Sequence, residues 1–215
     1  MKNVSLQEQA IRKKKVRKIV FVLKKLYPNV APFLRFNTPW ELLVAVVLSA
    51  QCTDKKVNEV TSILFKKYKT LDDYLHATQK EFEKDIYSTG FYRAKAKNIL
   101  AAARVLHNQF HGKVPRTMEE LLEIPGVGRK SANVILENAF DIVSGIAVDT
   151  HVKRLARVWG LSYESNPDKI EKDLTSILPQ HQWPGFTHRL ISYGREYCPS
   201  RRHAHERCPI TKLGV

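Results

Sequence analysis

The segment Leu121-Leu122-Glu123-Ile124-Pro125-Gly126-Val127-Gly128-Arg129-Lys130 decides how the rest of the chain is read. Pro125 lacks an amide hydrogen and must end the helix before it, while a second helix resumes after Gly128 with Ala132, Ile135, Leu136 and Ala139 at core-facing spacing. Both glycines permit positive φ and leave the backbone bare at two positions, so its N–H groups can approach an anion. The following helix adds the positive end of its dipole. An ordinary αα-turn punctuated by glycine has the same signature, and the neighbouring residues must separate the two readings.

Lys130 falls in the first turn of the second helix, where the dipole disfavours an ammonium. A partly neutral amine is a nucleophile able to attack a sugar C1′ and form a Schiff base. A simple phosphate contact is the other use of a lysine in such a place. Further on, Val148-Asp149-Thr150-His151-Val152-Lys153-Arg154 reads as a helix start with Asp149 as N-cap. Its carboxylate either caps that helix only or also serves the chemistry of the amine.

Outward from the hairpin, helical spacing recurs in segment after segment and period-two alternation is nowhere sustained, so the chain is expected to be all-α. Helices are expected at 7–26, 40–50, 54–67, 71–77, 79–87, 92–110, 117–123, from 129, and at 149–160, 167–178 and 186–197, followed by an irregular tail from Cys198. Thr38-Pro39 sets an N-cap before a first-turn proline, and the helix it introduces is apolar nearly all round and should be central. Its run Leu42 to Leu48 is the longest unbroken apolar stretch, far short of the roughly 20 residues of a membrane span.

Lys and Arg number 36 against 21 Asp and Glu, a net charge of +15 over 215 residues, which favours polyanionic partners. Hydrophobic residues make up 43%, enough to bury a core and to exclude a disordered chain. The amino-terminal stretch is charged almost throughout and lacks a secretory pattern, and the three cysteines are too few for a disulfide framework. A reducing, cytoplasmic, nucleoid-associated location is expected.

The segment 122–133, the Val148-Asp149-Thr150-His151 helix start and the upstream Leu48-Ser49-Ala50-Gln51-Cys52-Thr53-Asp54 together resemble the helix-hairpin-helix (HhH-GPD) DNA glycosylases of the endonuclease III type, over about residues 17–208. That resemblance implies two helical bundles with a DNA-binding cleft between them: a six-helix bundle at 32–142 carrying the helix-hairpin-helix at about 117–140, and a second bundle joining 1–31 to 143–215. It makes Lys130 the Schiff-base nucleophile and Asp149 the assisting carboxylate. Gly126, Val127, Gly128 and Arg129 would hold phosphate, and His151 would lie in the DNA-binding set. Gln51 and Phe91 match the positions that fill the gap left by a flipped base. For Phe91 a place in the core is an equal alternative, and for Gln51 a helix-terminal hydrogen bond.

The implied activity is that of a bifunctional DNA glycosylase and abasic-site lyase of base excision repair, removing oxidised pyrimidines from double-stranded DNA with β-elimination. A mismatch or deaminated-base glycosylase and a non-catalytic DNA-binding protein are the alternatives. The partner is double-stranded DNA with damaged bases or abasic sites, no membrane is involved, and a monomer is expected. The family commonly ends in four cysteines that hold a four-iron four-sulfur cluster. Here Cys198 and Cys208 stand at the first and third positions, but His205 and Gly214 stand at the second and fourth. No cofactor is therefore expected and the cluster is taken as absent, with zinc on Cys198, His203, His205 and Cys208 as the alternative.

Overall fold

The structure, a computed structural model, describes residues 6–214. Residues 1–5, part of the amino-terminal stretch read above for charge and for the second bundle, lie outside the described residues, as does residue 215. Among the described residues there are eleven α-helices and no strand, and no helix is long and apolar enough to cross a membrane. The chain divides into two compact units, Pro32–Ser144 and the pair Met1–Ala31 with Gly145–Val215.

The middle unit is built around α2 (Pro39–Leu48), which buries seven consecutive residues from Leu42 to Leu48. A helix enclosed by others needs apolar residues on all sides, and this one has them. Thr38 caps it by accepting from the Glu41 amide, ahead of the proline at its first position. Around it run α3 (Asp54–Lys67), α4 (Leu71–His76), α5 (Gln79–Asp85), α6 (Tyr92–Gln109), α7 (Met118–Leu122) and α8 (Arg129–Phe140). Threonines supply most of the starts: Thr53, Thr70, Thr78 and Thr117 each accept from a first-turn amide, and Thr70 with Asp73 and Thr78 with Glu81 close reciprocal capping boxes. Edge-on and tilted ring contacts join Trp40 of α2 to Tyr74 of α4, and Tyr68 and Tyr74 to Phe82 of α5, within this core.

The other unit joins α1 (Leu6–Leu26) to α9 (Thr150–Val158), α10 (Pro167–Ile177) and α11 (Phe186–Glu196). Val16, Ile19, Val20 and Leu23 of α1 pack with Val152, Leu155, Trp159, Leu174, Leu190 and Tyr193 in a second core. Arg12, at the head of the basic run, is buried as well: its guanidinium pairs with Glu8 and lies over the Tyr163 ring. Its aliphatic stem therefore covers core while its charge is matched.

Several helices stop one or two residues before the expected ends. The α2 helix gives out at Leu48 because Gln51 turns into the left-handed region at φ 52. The α5 helix ends at Asp85, and a short 3₁₀ turn, Tyr87–Thr89, takes over before Gly90. The tail from Cys198 holds two further 3₁₀ turns, His205–Arg207 and Thr211–Leu213.

Candidate functional site

The hairpin between α7 and α8 is built by two glycines in two different ways. Gly126 sits at φ 85, and a Cβ there would lie 3.0 Å from Asn98 Cβ on α6, so both backbone and packing require glycine. Gly128 does not adopt positive φ; it is extended at φ −99 and ψ 176 and serves as the N-cap of α8. A Cβ at Gly128 would meet nothing within 4 Å, which leaves the backbone approachable. Val127 between them is buried in the core and anchors the loop, its amide donating to Ile124 O at 3.0 Å. First-turn N–H groups point out of a helix start, so this hairpin offers an oxyanion a cradle of backbone donors beside the exposed Arg129. Lys130, the second residue of α8, is exposed at the same end.

In the other unit Asp149 is half-buried and caps α9, its Oδ1 accepting from the Val152 amide at 2.8 Å. That bond fixes one carboxylate oxygen and fixes the side chain at the helix start. His151 is half-buried in the first turn, and its ring lies against Gly194 of α11, where a Cβ would come 2.7 Å from His151 Nδ1. Nothing in the sequence pattern singles out Gly194, since a helical glycine reads only as a weak position until its neighbour is known.

Gln51 is exposed in the turn between α2 and α3, which the Cys52 amide closes by donating to Ser49 O at 3.1 Å. Phe91 is 65% exposed at the N-cap of α6 with φ 49, so it is not a core residue. A bulky apolar side chain held outside the core in a left-handed backbone is a feature that packing alone does not call for.

The expectation of no cofactor is corrected by the carboxy-terminal loop. One ligand atom each from Cys198, His203, His205 and Cys208 lie within 4.8 Å of one another, a group able to hold a metal ion. Cys198 Sγ is 3.8 Å from His205 Nδ1, and Cys208 Sγ is 3.5 Å from His203 Nε2. Metal–sulfur bonds of about 2.3 Å and metal–nitrogen bonds of about 2.0 Å at a tetrahedral angle put S and N corners roughly 3.5 Å apart. His203 Nδ1 donates to the Arg201 carbonyl at 2.9 Å, which leaves Nε2 with its lone pair toward the centre, as metal-binding histidines are commonly held. Arg154 steadies the other side by donating to Cys198 Sγ and to its carbonyl oxygen. Two thiolates and two imidazoles fit one tetrahedral ion. They do not fit the four-thiolate cluster of the family pattern, whose ligands must spread around a polynuclear body. Spacing misled here because the ligands converge through loop packing, including Ile210, whose amide donates to Tyr193 Oη at 3.1 Å.

Comparison with known proteins places the chain in a family. The model of the HhH-GPD superfamily base excision DNA repair protein matches residues 44–180. An endonuclease III of Synechocystis sp. (strain ATCC 27184 / PCC 6803 / Kazusa) is 45% identical over 208 residues, 97% of this chain and 95% of that one. Among solved structures, a non-covalent endonuclease III–DNA complex superimposes with a TM-score of 0.89 at 42% identity, over 94% of both chains. A trapped endonuclease III–DNA covalent intermediate gives the same TM-score, identity and coverage.

Proposed function

The chain belongs to the HhH-GPD superfamily of base excision DNA repair proteins, and from that premise we propose that it is a DNA glycosylase with abasic-site lyase activity that removes oxidised pyrimidines from double-stranded DNA. The observation that carries the chemistry is Lys130, an exposed residue in the first turn of α8 directly after a hairpin suited to phosphate. A relative trapped as a covalent intermediate on DNA supports the same reading.

In this reading the Gly126–Val127–Gly128 backbone and Arg129 grip the phosphate backbone without reading sequence. The damaged nucleotide leaves the stack, and Gln51 and Phe91 occupy the space it vacates. Lys130 Nζ attacks C1′, and the base departs with the electrons of the glycosidic bond and accepts a proton. The new C1′ amine loses a proton, and as the C1′–O4′ bond breaks with O4′ taking up a proton, the C1′=N bond of the Schiff base forms. The carboxylate of Asp149 stabilises positive charge developing at the sugar and moves protons. Loss of a C2′ proton then expels the 3′ phosphate oxygen by cleavage of the C3′–O3′ bond, and water hydrolyses the imine to restore Lys130. His151 belongs to the DNA-contacting set, and action as a monomer on nucleoid DNA completes the proposal.

Borohydride trapping tests it. Duplex DNA carrying one oxidised thymine should yield a covalent adduct with the wild-type protein and none with Lys130→Ala. An adduct on a plain abasic site alone would keep the lyase and replace the substrate. No adduct on either DNA would sink the enzymatic reading in favour of a binding protein.

A further inference from the structure

Gln51 and Phe91 share a backbone state that side chains with a Cβ avoid. Both lie in the left-handed region, at φ 52 and φ 49, and both are exposed at a junction between helical segments. Such a conformation persists where the surroundings over-determine it. The two turns are distant in sequence, yet a single side chain reaches both. Lys95, in the first turn of α6, is only 4% exposed. Its Nζ donates to Leu48 O at 2.8 Å and to Thr89 O at 2.8 Å. Its own amide donates to Phe91 O at 3.1 Å. Leu48 is the last residue of α2, three before Gln51, and Thr89 ends the 3₁₀ turn, two before Phe91.

Both acceptors of the ammonium are backbone carbonyls at the ends of helical segments, where carbonyl groups lack helical partners and concentrate negative charge. Burial nevertheless pushes the amine below its ordinary pKa, since desolvation outweighs what its surroundings return. A lysine placed inside a core on these terms is an expensive way to fill space, and an aliphatic residue of similar length would fill it without a desolvated charge.

We propose that Lys95 is a positioning residue that fastens the Gln51 turn to the Phe91 turn, so that the two side chains present themselves to a DNA duplex as one preset, two-pronged wedge. This rests on the reading of Gln51 and Phe91 as the groups that enter the duplex. Without the clamp each turn relaxes separately, and the binding energy of insertion is partly consumed in ordering them. The loss falls on opening the duplex and leaves the chemistry of Lys130 alone.

The test compares Lys95→Met with wild type on two substrates in the same preparation. One is duplex DNA bearing an oxidised pyrimidine beside 2-aminopurine, whose fluorescence reports unstacking. The other is a single-stranded abasic oligonucleotide, which has no duplex to open. The expected result is excision from the duplex slowed by about tenfold or more with a weakened 2-aminopurine signal, and β-elimination on the single strand within about twofold of wild type. Should the methionine variant fail to fold, Lys95→Gln, whose amide can still donate, replaces it and is expected to show a smaller loss of the same kind. Duplex excision equal to wild type, or an equal fall on both substrates in folded protein, overturns the role of Lys95. Gln51→Ala and Phe91→Ala are run alongside. If they leave the fluorescence signal unchanged the wedge reading itself fails, and if they abolish it while the Lys95 variant does not, only the clamp fails.

Discussion

Gly194 of α11 and His151 of α9 meet so closely that a Cβ on the glycine would stand 2.7 Å from the imidazole Nδ1 and 3.2 Å from an Arg154 guanidinium nitrogen. The imidazole cannot swing aside as a long flexible chain could, because the clashing atom is next to its ring attachment. Gly194→Ala should therefore push α9 and α11 apart and cost about 1–3 kcal/mol, read as a lowered thermal midpoint. The double variant His151→Ala with Gly194→Ala should recover most of that loss, and a double-mutant cycle showing simple additivity would contradict the contact.

The carboxy-terminal loop should carry metal as purified. Zinc at about one ion per chain is expected, with cobalt substitution giving the visible bands of a tetrahedral thiolate site. Removal by a chelator should lower the thermal midpoint, because ligands that favour the folded loop only when bridged cease to do so. Cys198→Ser and Cys208→Ser should each reduce metal content. Metal-free protein whose stability ignores chelators would refute the site, and iron with inorganic sulfide would assign it a different centre.

Tyr74 is buried against Trp40, Tyr68 and Phe82, and among the described residues its hydroxyl has no hydrogen-bond partner. Burial first, and then the nearby charge of Glu41, raises the phenol well above its ordinary value. A raised pKa means that the folded state keeps a proton the unfolded chain releases above about pH 10. Its contribution to stability is complete below that pH and is lost as pH climbs toward the folded-state pKa. Tyr74→Phe should raise stability at neutral pH by about 1 kcal/mol, since an unsatisfied buried hydroxyl is removed, and should flatten the decline above about pH 10. Urea titrations at pH 7 and in the alkaline range measure both effects.

Arg201, Arg202 and Arg207 are exposed on the loop that holds the metal ligands. If they meet phosphate, each replacement by alanine should reduce the slope of log K against log salt by about 0.9 and weaken binding on every sequence alike. An unchanged slope would remove the loop from the DNA-contacting surface.

Reading from sequence succeeds where a requirement is local. Pro125 and Gly126 define the hairpin because one lacks an amide hydrogen and the other must sit at φ 85, and Asp149 is legible as a cap because capping chemistry spans three residues. Gly128 looked like a second left-handed position and is extended, since an N-cap asks for that backbone instead. Phe91 could not be assigned from sequence, because an aromatic residue before a helix suits a core or a surface equally until its exposure is known. Lys95 carries no signal in the sequence. A lysine in a basic helix reads as solvated, and only the placement of Leu48 and Thr89 carbonyls around its amine reveals otherwise. The four metal ligands are legible as an alternative zinc group, but sequence alone does not favour that group over an empty loop, because their convergence depends on contacts such as Arg154 to Cys198 that span tens of residues.

The unit that contains α1 closes only when the far end of the chain arrives. Between Leu26 and Gly145 lie 144 − 26 = 118 residues that belong mostly to the other unit. At a synthesis rate of about 5–20 residues per second, α1 waits on the order of ten seconds for its partners. During that interval Val16, Ile19, Val20 and Leu23 have nothing of their own core to cover them, whereas the middle segment already possesses every residue of its core. The nascent α1 thus emerges with its apolar face uncovered, and the lysines and arginines along it supply like charge that opposes self-association. Of the described helices, α1 is made before the others and is among the last to be buried.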